Sequence, residues 1–282
     1  EKYEPVFIGP KLSVQSVFGS YSDLPLITSS QFMDNTNYGY ASYPLPQFVY
    51  SMLHHYLGEE QFLEAFRTYI RRWAYKSPTP YDFFNTFEDV SGEDLDWLWV
   101  PWFFRYGYAD VTAGELKNGK LSVVNNGARP VPLTVDITYQ DGSKEQIIEN
   151  AKIWQQGDVS IKIPDAKKVN YLIVNREIPD IDELNNFYPS LDQVYASLDI
   201  DEEIMGSYKV NEYPVTAEIS MKDGALFMEI RRAGLEAFLL PLEGNRYESL
   251  DGAATLEFTE EDGKYTGVSI GIFGQTLTST KQ

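Results

Sequence analysis

The chain has 282 residues, 43% of them hydrophobic and 15% aromatic, which is the composition of a folded globular protein of two or three domains. Its net charge of −19 argues against partners such as nucleic acid or anionic membranes, because binding to both requires clusters of lysine and arginine. The absence of cysteine excludes disulfides, and no apolar run approaches the roughly 20 residues of a membrane-spanning helix.

Residues 1–42 are rich in Ser, Gly, Pro, Asn and Asp and carry isolated apolar side chains such as Phe7. This composition predicts an irregular segment draped over the helices that follow, with a short helix near its start. Asp34, Asn35 and Asn37 are interpreted as turn formers rather than as metal ligands, because short polar side chains commonly hydrogen-bond to nearby backbone.

The first residues, from Glu1 to Pro5, are too polar for a signal peptide. They suggest an internal start, as in a longer protein that has been trimmed. Cysteine usage does not decide the compartment, since exported proteins also lack cysteine, and an exported location (periplasmic or cell envelope) is favoured. The oligomeric state cannot be read from the sequence.

The run from Tyr43 to Tyr108 has the densest and most regularly spaced apolar side chains in the chain. Apolar residues recurring every three or four positions predict helices. Proline and glycine punctuate the run and set the helix limits. Four short antiparallel helices are predicted, around Val49–Tyr56, Phe62–Trp73, Tyr81–Val90 and Ser91–Phe103.

Several motifs of this run together resemble one family. They are Leu-Gly-Glu-Glu-x-Phe at 57–62, Trp-Ala-Tyr-Lys-Ser-Pro-Thr-Pro-x-Asp-Phe-Phe at 73–84, and Ser-Gly-Glu-Asp-Leu-x-Trp-x-Trp-x-x-Trp-Phe at 91–103. With Tyr43 ahead of them, they resemble the aminopeptidase N-like zinc metallopeptidases, the gluzincins. They match the helical half of the catalytic domain, which follows the zinc ligands. The resemblance implies a peptide substrate and a zinc cofactor in the full-length parent.

The zinc-binding motif of that family, His-Glu-x-x-His, is absent from the chain. Its two histidines, His54 and His55, are adjacent and therefore lie about 100° apart around a helix. His55 and Glu59 have the i, i+4 spacing of two ligands, but zinc requires three or four. We therefore expect no metal site and no cofactor in this chain alone.

From Asp110 the apolar period changes from helical to alternating, which predicts a β-sandwich ending near Phe187. Asn118-Gly119 has the composition of a two-residue hairpin turn. Strands are predicted over Val131–Tyr139, up to Ile148, and around Trp154–Ile163 and Val169–Val174. The polar residues Asp180, Asp182 and Asn185 are interpreted as a domain-boundary turn rather than as a calcium site.

The last part of the chain is predicted to begin with a linker helix, Leu184–Leu198, followed by a small antiparallel barrel or curled sheet of seven or eight strands. The turns between its strands are predicted at Asp-Gly pairs and at one Glu-Gly-Asn sequence. The predicted strands are Tyr208–Val210, Val215–Met221, Ala225–Ile230, Ala237–Pro241, Tyr247–Leu250, Ala254–Phe258 and Gly267–Phe273. This module resembles the lipocalin-like domain appended to bacterial hydrolases.

The resemblance implies one catalytic residue, Tyr43, which lies 15 residues before Gly58 as the family's catalytic tyrosine lies before its Leu-Gly. Its hydroxyl would stabilise the oxyanion formed during peptide hydrolysis. Tyr38 and Tyr40 are expected to shape a substrate-binding wall beside it. One departure is Leu45, flanked by prolines, where the family usually has a lysine.

The predicted fold class is therefore multidomain, α then all-β. Its domains are 1–108 (helical part of a peptidase catalytic domain), 109–187 (β-sandwich) and 188–282 (linker helix and small β-barrel). Two functions remain open. The chain is either the carboxy-terminal portion of an aminopeptidase-like zinc metallopeptidase, inactive alone, or a non-catalytic binding or scaffold protein built on a decayed peptidase fold.

Overall fold

The computed structural model describes residues 8–198, 200–242, 244–272 and 274–282. The predicted order, a helical part followed by an all-β part, is confirmed. No helix within those described ranges is both long and apolar enough to cross a membrane.

The chain forms two compact units, Glu1–Asp182 and Glu183–Gln282, which we call the first and second units. The finer division into three domains, with boundaries at 108 and 187, stays a prediction. The features predicted at Phe7, Glu243 and Phe273 lie outside the described residues.

The described part of the first unit, from residue 8 onward, contains six helices. They are α1 Ile8–Gln15, α2 Asn35–Ser42, α3 Pro44–Leu57, α4 Glu59–Trp73, α5 Pro80–Ser91 and α6 Asp96–Trp99, with a π-helical turn at Val100–Phe104. The helix α5 begins with a cap in which the Asp82 carboxylate accepts the Thr79 backbone N–H at 2.7 Å and the Thr79 hydroxyl at 2.8 Å. The predicted second and third helices are thus confirmed as α4 and α5.

Two helical predictions need correction. The segment 35–42, predicted to be irregular, is the helix α2, whose first turn is capped by the Asp34 carboxylate accepting the Asn37 N–H at 2.8 Å. The predicted helix from Ser91 is shorter and begins at Asp96. The reason is Gly92, which adopts a left-handed conformation and ends α5.

The helical core is built from aromatic side chains. Phe84 stacks on Trp99 with ring centroids 4.7 Å apart, and Phe103 packs edge-on against Phe84 at 4.8 Å. Phe48 of α3 packs edge-on against Trp102 at 5.7 Å. Buried rings at such spacings contribute more than their buried area alone, so this cluster fixes α3 against the π-helical turn.

Two antiparallel sheets complete the first unit. One has the order β1-β2-β5, and the other contains β4-β3-β6. The strands are β1 Val111–Lys117, β2 Lys120–Asn125, β3 Leu133–Tyr139, β4 Lys144–Glu149, β5 Val159–Lys162 and β6 Val169–Val174. The predicted hairpin turn is confirmed, since Asn118 and Gly119 both have positive φ, at 52° and 77°.

The residues around Trp154 form a 3₁₀ segment, Ala151–Gln156, rather than the predicted strand. Its first turn is capped by Asn150, whose side chain accepts the Lys152 N–H at 3.1 Å. Trp154 itself is tied across the unit, because its indole N–H donates to the Val131 carbonyl at 2.7 Å. A local cap and a long-range bond therefore override the strand pattern.

The second unit begins with a two-residue strand, β7 Phe187–Tyr188, and a short helix, α7 Leu191–Ala196. The predicted linker helix Leu184–Leu198 is therefore wrong in length. Pro189 interrupts it, because proline lacks the backbone N–H that a continuous helix needs.

Eight further strands form a closed antiparallel barrel, in the order β10-β11-β12-β13-β14-β15-β8-β9. They are β8 Gly206–Val210, β9 Thr216–Lys222, β10 Ala225–Ile230, β11 Leu235–Pro241, β12 Arg246–Ser249, β13 Ala254–Glu261, β14 Lys264–Ile272 and β15 Gln275–Lys281. The predicted barrel is confirmed. Its closing strand β15 is not among the predicted strands, because Thr and Ser replace apolar residues in it.

Buried rings fill the inside of this barrel. Phe258 packs edge-on against Tyr208 at 5.7 Å and against Tyr247 at 5.5 Å. The Tyr208 hydroxyl donates to the Ile204 carbonyl at 2.6 Å. On the outside, α7 covers β10, and the Tyr195 hydroxyl donates to the Leu239 carbonyl. Both faces of β10 are therefore buried, while the relationship to lipocalin-like modules stays a prediction.

Candidate functional site

Tyr43 lies at the corner between α2 and α3. Its backbone N–H donates to the Gly39 carbonyl at 3.2 Å, and its carbonyl accepts the Gln47 N–H at 3.0 Å, so it ends one helix and begins the next. The side chain is 69% exposed. No described residue hydrogen-bonds to its hydroxyl, which leaves that group available to a ligand.

The sequence around this corner explains why the Tyr43 ring points outward. Pro44 occupies the first position of α3, where a missing N–H costs nothing and the fixed φ suits a helix start. Leu45 and Phe48 follow on the inward face and are fully buried. Leu45 and Phe48 therefore occupy the face of α3 that packs into the core, and Tyr43, at the corner before them, lies on the surface.

Tyr38 and Tyr40 both lie on α2, two residues apart. Positions two apart on an α-helix are separated by about 200° around its axis, so the two rings leave from nearly opposite sides. Tyr38 is 49% exposed, whereas Tyr40 is half-buried. The helix geometry therefore does not favour a single substrate-binding wall formed by both rings.

The two histidines lie at the end of α3. His54, rather than His55, meets Glu59: the His54 Nε2 atom lies 2.6 Å from the Glu59 Oε2 atom, and the imidazole stacks on Phe62 at 4.5 Å. His55 and Glu59 lie on different helices, because Gly58, with φ 77° and ψ 163°, separates α3 from α4. Burial lowers the pKa of His55.

Among the described residues, neither histidine belongs to a group of three or more side chains whose atoms come close enough to hold a metal ion. The chain has no histidine beyond this adjacent pair, and zinc requires three or four ligands. Within the described ranges, three carboxylates do come together at Glu88, Asp94 and Asp96, with oxygens within 4.8 Å of one another.

That acidic cluster is a helix-start turn. A Glu88 oxygen accepts the Leu95 N–H at 3.3 Å, and an Asp94 oxygen accepts the Asp96 N–H at 3.0 Å, just before α6 begins. Burial, with the neighbouring carboxylates, raises the pKa of Glu88. The bonds to backbone account for the positions of Glu88 and Asp94 without a ligand.

A polar network missed by the sequence analysis links α3 to the 3₁₀ segment. The Lys152 ammonium donates to Glu93 at 2.7 Å and to the Tyr56 hydroxyl, which itself donates to Glu93 at 2.9 Å. The hydrogen bonds from Lys152 and Tyr56 lower the pKa of Glu93. Lys152 is far from both partners in sequence, so no local pattern indicates the contact.

Asp180, weighed in the sequence as a turn residue or a calcium ligand, is fully buried. One carboxylate oxygen accepts the Val111 N–H at 2.8 Å, and the other accepts the Asp182 N–H at 3.0 Å. It anchors the start of β1, as a turn residue would.

Comparison with known proteins assigns the helical region. The Peptidase family M1 domain matches residues 25–102, which contain Tyr43 and the helices α2 to α6. The helical part of the chain is thus similar to the aminopeptidase N-like gluzincins. The resemblance found from its motifs is thereby confirmed.

Individual relatives cover more of the chain or match it more closely. Aminopeptidase M1-C of Oryza sativa subsp. japonica is 29% identical over 119 residues, which are 39% of this chain and 13% of that protein. Aminopeptidase M1-B of the same plant is 35% identical over 72 residues, 26% of this chain and 8% of its own length. Tricorn protease-interacting factor F2 of Thermoplasma volcanium is 25% identical over 207 residues, 65% of this chain and 24% of its own length.

Among solved structures, Legionella pneumophila aminopeptidase A in complex with aspartic acid matches 61% of this chain and 21% of its own, with 16% identity and a TM-score of 0.47. The chain thus spans less than a quarter of the length of each of these proteins.

Proposed function

We propose that the chain supplies part of the catalytic region of an aminopeptidase that hydrolyses peptide bonds, with Tyr43 as its oxyanion donor. The observation that carries this proposal is the exposed Tyr43 hydroxyl, which no described residue engages. A structural tyrosine would bury its ring and satisfy its hydroxyl on nearby backbone, as Tyr208 does in the barrel.

The chemistry of amide hydrolysis gives this hydroxyl a task. Attack on the carbonyl produces a tetrahedral intermediate with a negative oxygen, which needs a preorganised hydrogen-bond donor. A phenol donates such a bond without adding a competing charge. The corner of α2 and α3 holds the Tyr43 backbone at both ends, so the ring is presented from a fixed point.

Tyr38 and Tyr40 remain proposed as substrate contacts, but on unequal footing. The exposed ring of Tyr38 is available to a substrate side chain, whereas half-buried Tyr40 would act mainly by holding α2 in place.

Zinc belongs, in this proposal, to the complete parent protein, and the chain alone binds no stoichiometric zinc and cleaves no aminoacyl substrate. The alternative is a non-catalytic binding or scaffold protein built on a decayed peptidase fold. Elemental analysis for zinc and an aminopeptidase assay distinguish the proposal from this alternative. Both measurements are made on two samples, the purified 282-residue chain and the product of the complete gene. The proposal expects zinc and aminopeptidase activity only in the second sample.

One tightly held zinc per molecule of the isolated chain would overturn the assignment of the ligands to another part of the parent. A complete gene product with neither zinc nor activity would favour the scaffold.

A further inference from the structure

A cavity of about 320 Å³ lies in the first unit, and it is not lined by Tyr38, Tyr40 or Tyr43. Its walls come from three places in the chain: Trp97 and Pro101 at the end of the helical region, Pro130 in the β2–β3 loop, and Trp154 with Asp158 in and after the 3₁₀ segment. We propose that this cavity binds a cationic side chain, arginine above all, presented by a peptide or protein partner.

The cavity is built before any ligand arrives. The Asn125 side chain holds the β2–β3 loop, accepting the N–H of Asp110 at 3.2 Å and of Gly127 at 3.0 Å and donating to the Arg129 carbonyl at 2.9 Å. The indole of Trp154 is fixed from the other side by its bond to Val131. Preformed walls of this kind lower the ordering cost of binding.

Aromatic and apolar residues outnumber polar ones in the lining, which favours either an apolar or a cationic occupant. Indole faces attract ammonium and guanidinium groups through the ring quadrupole, and tryptophan does so best among the aromatic side chains. Two tryptophans and two prolines line the space, and such rings favour a flat, weakly hydrated guanidinium over a strongly hydrated ammonium.

The polar groups decide between the two occupants. Among the described lining residues the one charged group is the exposed Asp158 carboxylate, and none of them is basic. The indole Nε1 atom of Trp97 is buried and has no hydrogen-bond acceptor. A ligand that brings a cation supplies the counter-charge for Asp158, whereas the Trp97 Nε1 atom is closed off and takes no part in binding.

The charge of the whole chain acts in the same direction. With a net charge of −19, the chain attracts cations over distances up to the screening length and repels acidic partners. A proline-rich or purely apolar segment would fill the walls but would leave Asp158 without a counter-charge. The cationic occupant is therefore the one that the contacts and the field favour together.

The test uses the full chain labelled with ¹⁵N at its five tryptophan indoles and follows their N–H signals by NMR. The probes are N-acetyl-arginine amide, its uncharged isostere N-acetyl-citrulline amide, and N-acetyl-proline amide. We expect arginine to shift the signals of Trp97 and Trp154, while Trp73, outside the cavity, stays in place. Trp97→Phe assigns the first signal.

Arginine should bind roughly 3- to 10-fold more tightly than citrulline, from cation–π contact and the carboxylate together. Asp158→Asn should weaken arginine binding roughly 2- to 5-fold and leave citrulline unchanged. Glu115→Gln is the matched control, because that exposed carboxylate lies on β1 outside the cavity. It should bind as the wild type does.

Three results would overturn the proposal. The first is equal binding of arginine and citrulline, and the second is stronger binding of the proline probe. The third is an unchanged Trp97 signal with every probe while the rest of the spectrum shows a folded chain.

Discussion

The buried ion pair between Asp23 and Arg129 offers a sharp test of what holds the first unit together. The Arg129 Nη1 atom lies 2.5 Å from the Asp23 Oδ1 atom, and the two side chains are only 1% and 4% exposed. The guanidinium also lies over the Trp102 ring, 4.7 Å from its centroid. The pair thus ties the segment before α2 to the loop between β2 and β3.

The pair is imperfectly satisfied, which sets the expected sign of each substitution. The Arg129 Nε and Nη2 atoms have no hydrogen-bond partner. Burial raises the pKa of Asp23 and lowers that of Arg129, although each charge opposes the shift of the other. The cost of burying the two charges therefore exceeds their mutual attraction. Removing only one of them is still unfavourable, because the other charge would stay buried without a partner.

Asp23→Asn should lower the free energy of unfolding by about 3–5 kcal/mol, because it leaves the Arg129 charge buried and unpaired. The double variant Asp23→Leu/Arg129→Met should recover most of that loss, since apolar side chains of similar volume do not require solvation. Asp89→Asn is the matched control. Its pair with Arg72 is exposed, so a change of at most about 1 kcal/mol is expected.

Urea unfolding followed by tryptophan fluorescence measures these values selectively. All five tryptophans lie before residue 183, so the signal reports on the first unit and not on the barrel. The reasoning is refuted if Asp23→Asn costs no more than the Asp89→Asn control. It is also refuted if the double variant is less stable than Asp23→Asn.

Three further predictions concern other parts of the chain. Gly58→Ala should lower the free energy of unfolding, measured in urea, by about 1–3 kcal/mol, because the φ of 77° and ψ of 163° at this position are essentially restricted to glycine. Gly39→Ala should instead raise it by about 0.5–1 kcal/mol, because Gly39 lies inside α2 and has open space where a Cβ would be. The lowered pKa of Glu93 stabilises the fold at pH values above 4.5, the ordinary pKa of a glutamate, and this contribution is lost as the pH falls through the pKa of the folded state. Glu93→Gln should therefore lose less stability than the wild type between about pH 5 and pH 3. Parallel curves of unfolding free energy against pH would contradict this. Tyr208→Phe should destabilise the barrel by about 1 kcal/mol through loss of the bond to Ile204, seen in far-ultraviolet circular dichroism, and an unchanged barrel transition would count against that bond.

Local patterns predicted much of the fold. The three- and four-residue spacing of apolar side chains located α4 and α5, and Asn118-Gly119 and Asp223-Gly224 located hairpins, since both residues of each pair adopt positive φ. The helix α2 is not predictable from periodicity because its sequence has no apolar face, and Asp34, its capping residue, is equally typical of a turn.

The contacts between distant parts of the chain were not predictable in the same way. Lys152 meets Tyr56 and Glu93 although 96 and 59 positions separate them, and Asp23 meets Arg129 across 106 positions. No periodicity or local motif encodes such pairs. The position of Tyr43 was found only because its spacing to Gly58 resembles that of a known family.

The most direct test of the central claim is the turnover of Tyr43→Phe in the product of the complete gene. The exposed ring contributes little to packing, so the variant should fold with unchanged stability and bind substrate as before. Loss of the oxyanion donor should lower kcat by roughly 10²–10³ with little change in KM. A variant that keeps wild-type kcat would show that the Tyr43 hydroxyl takes no part in peptide hydrolysis.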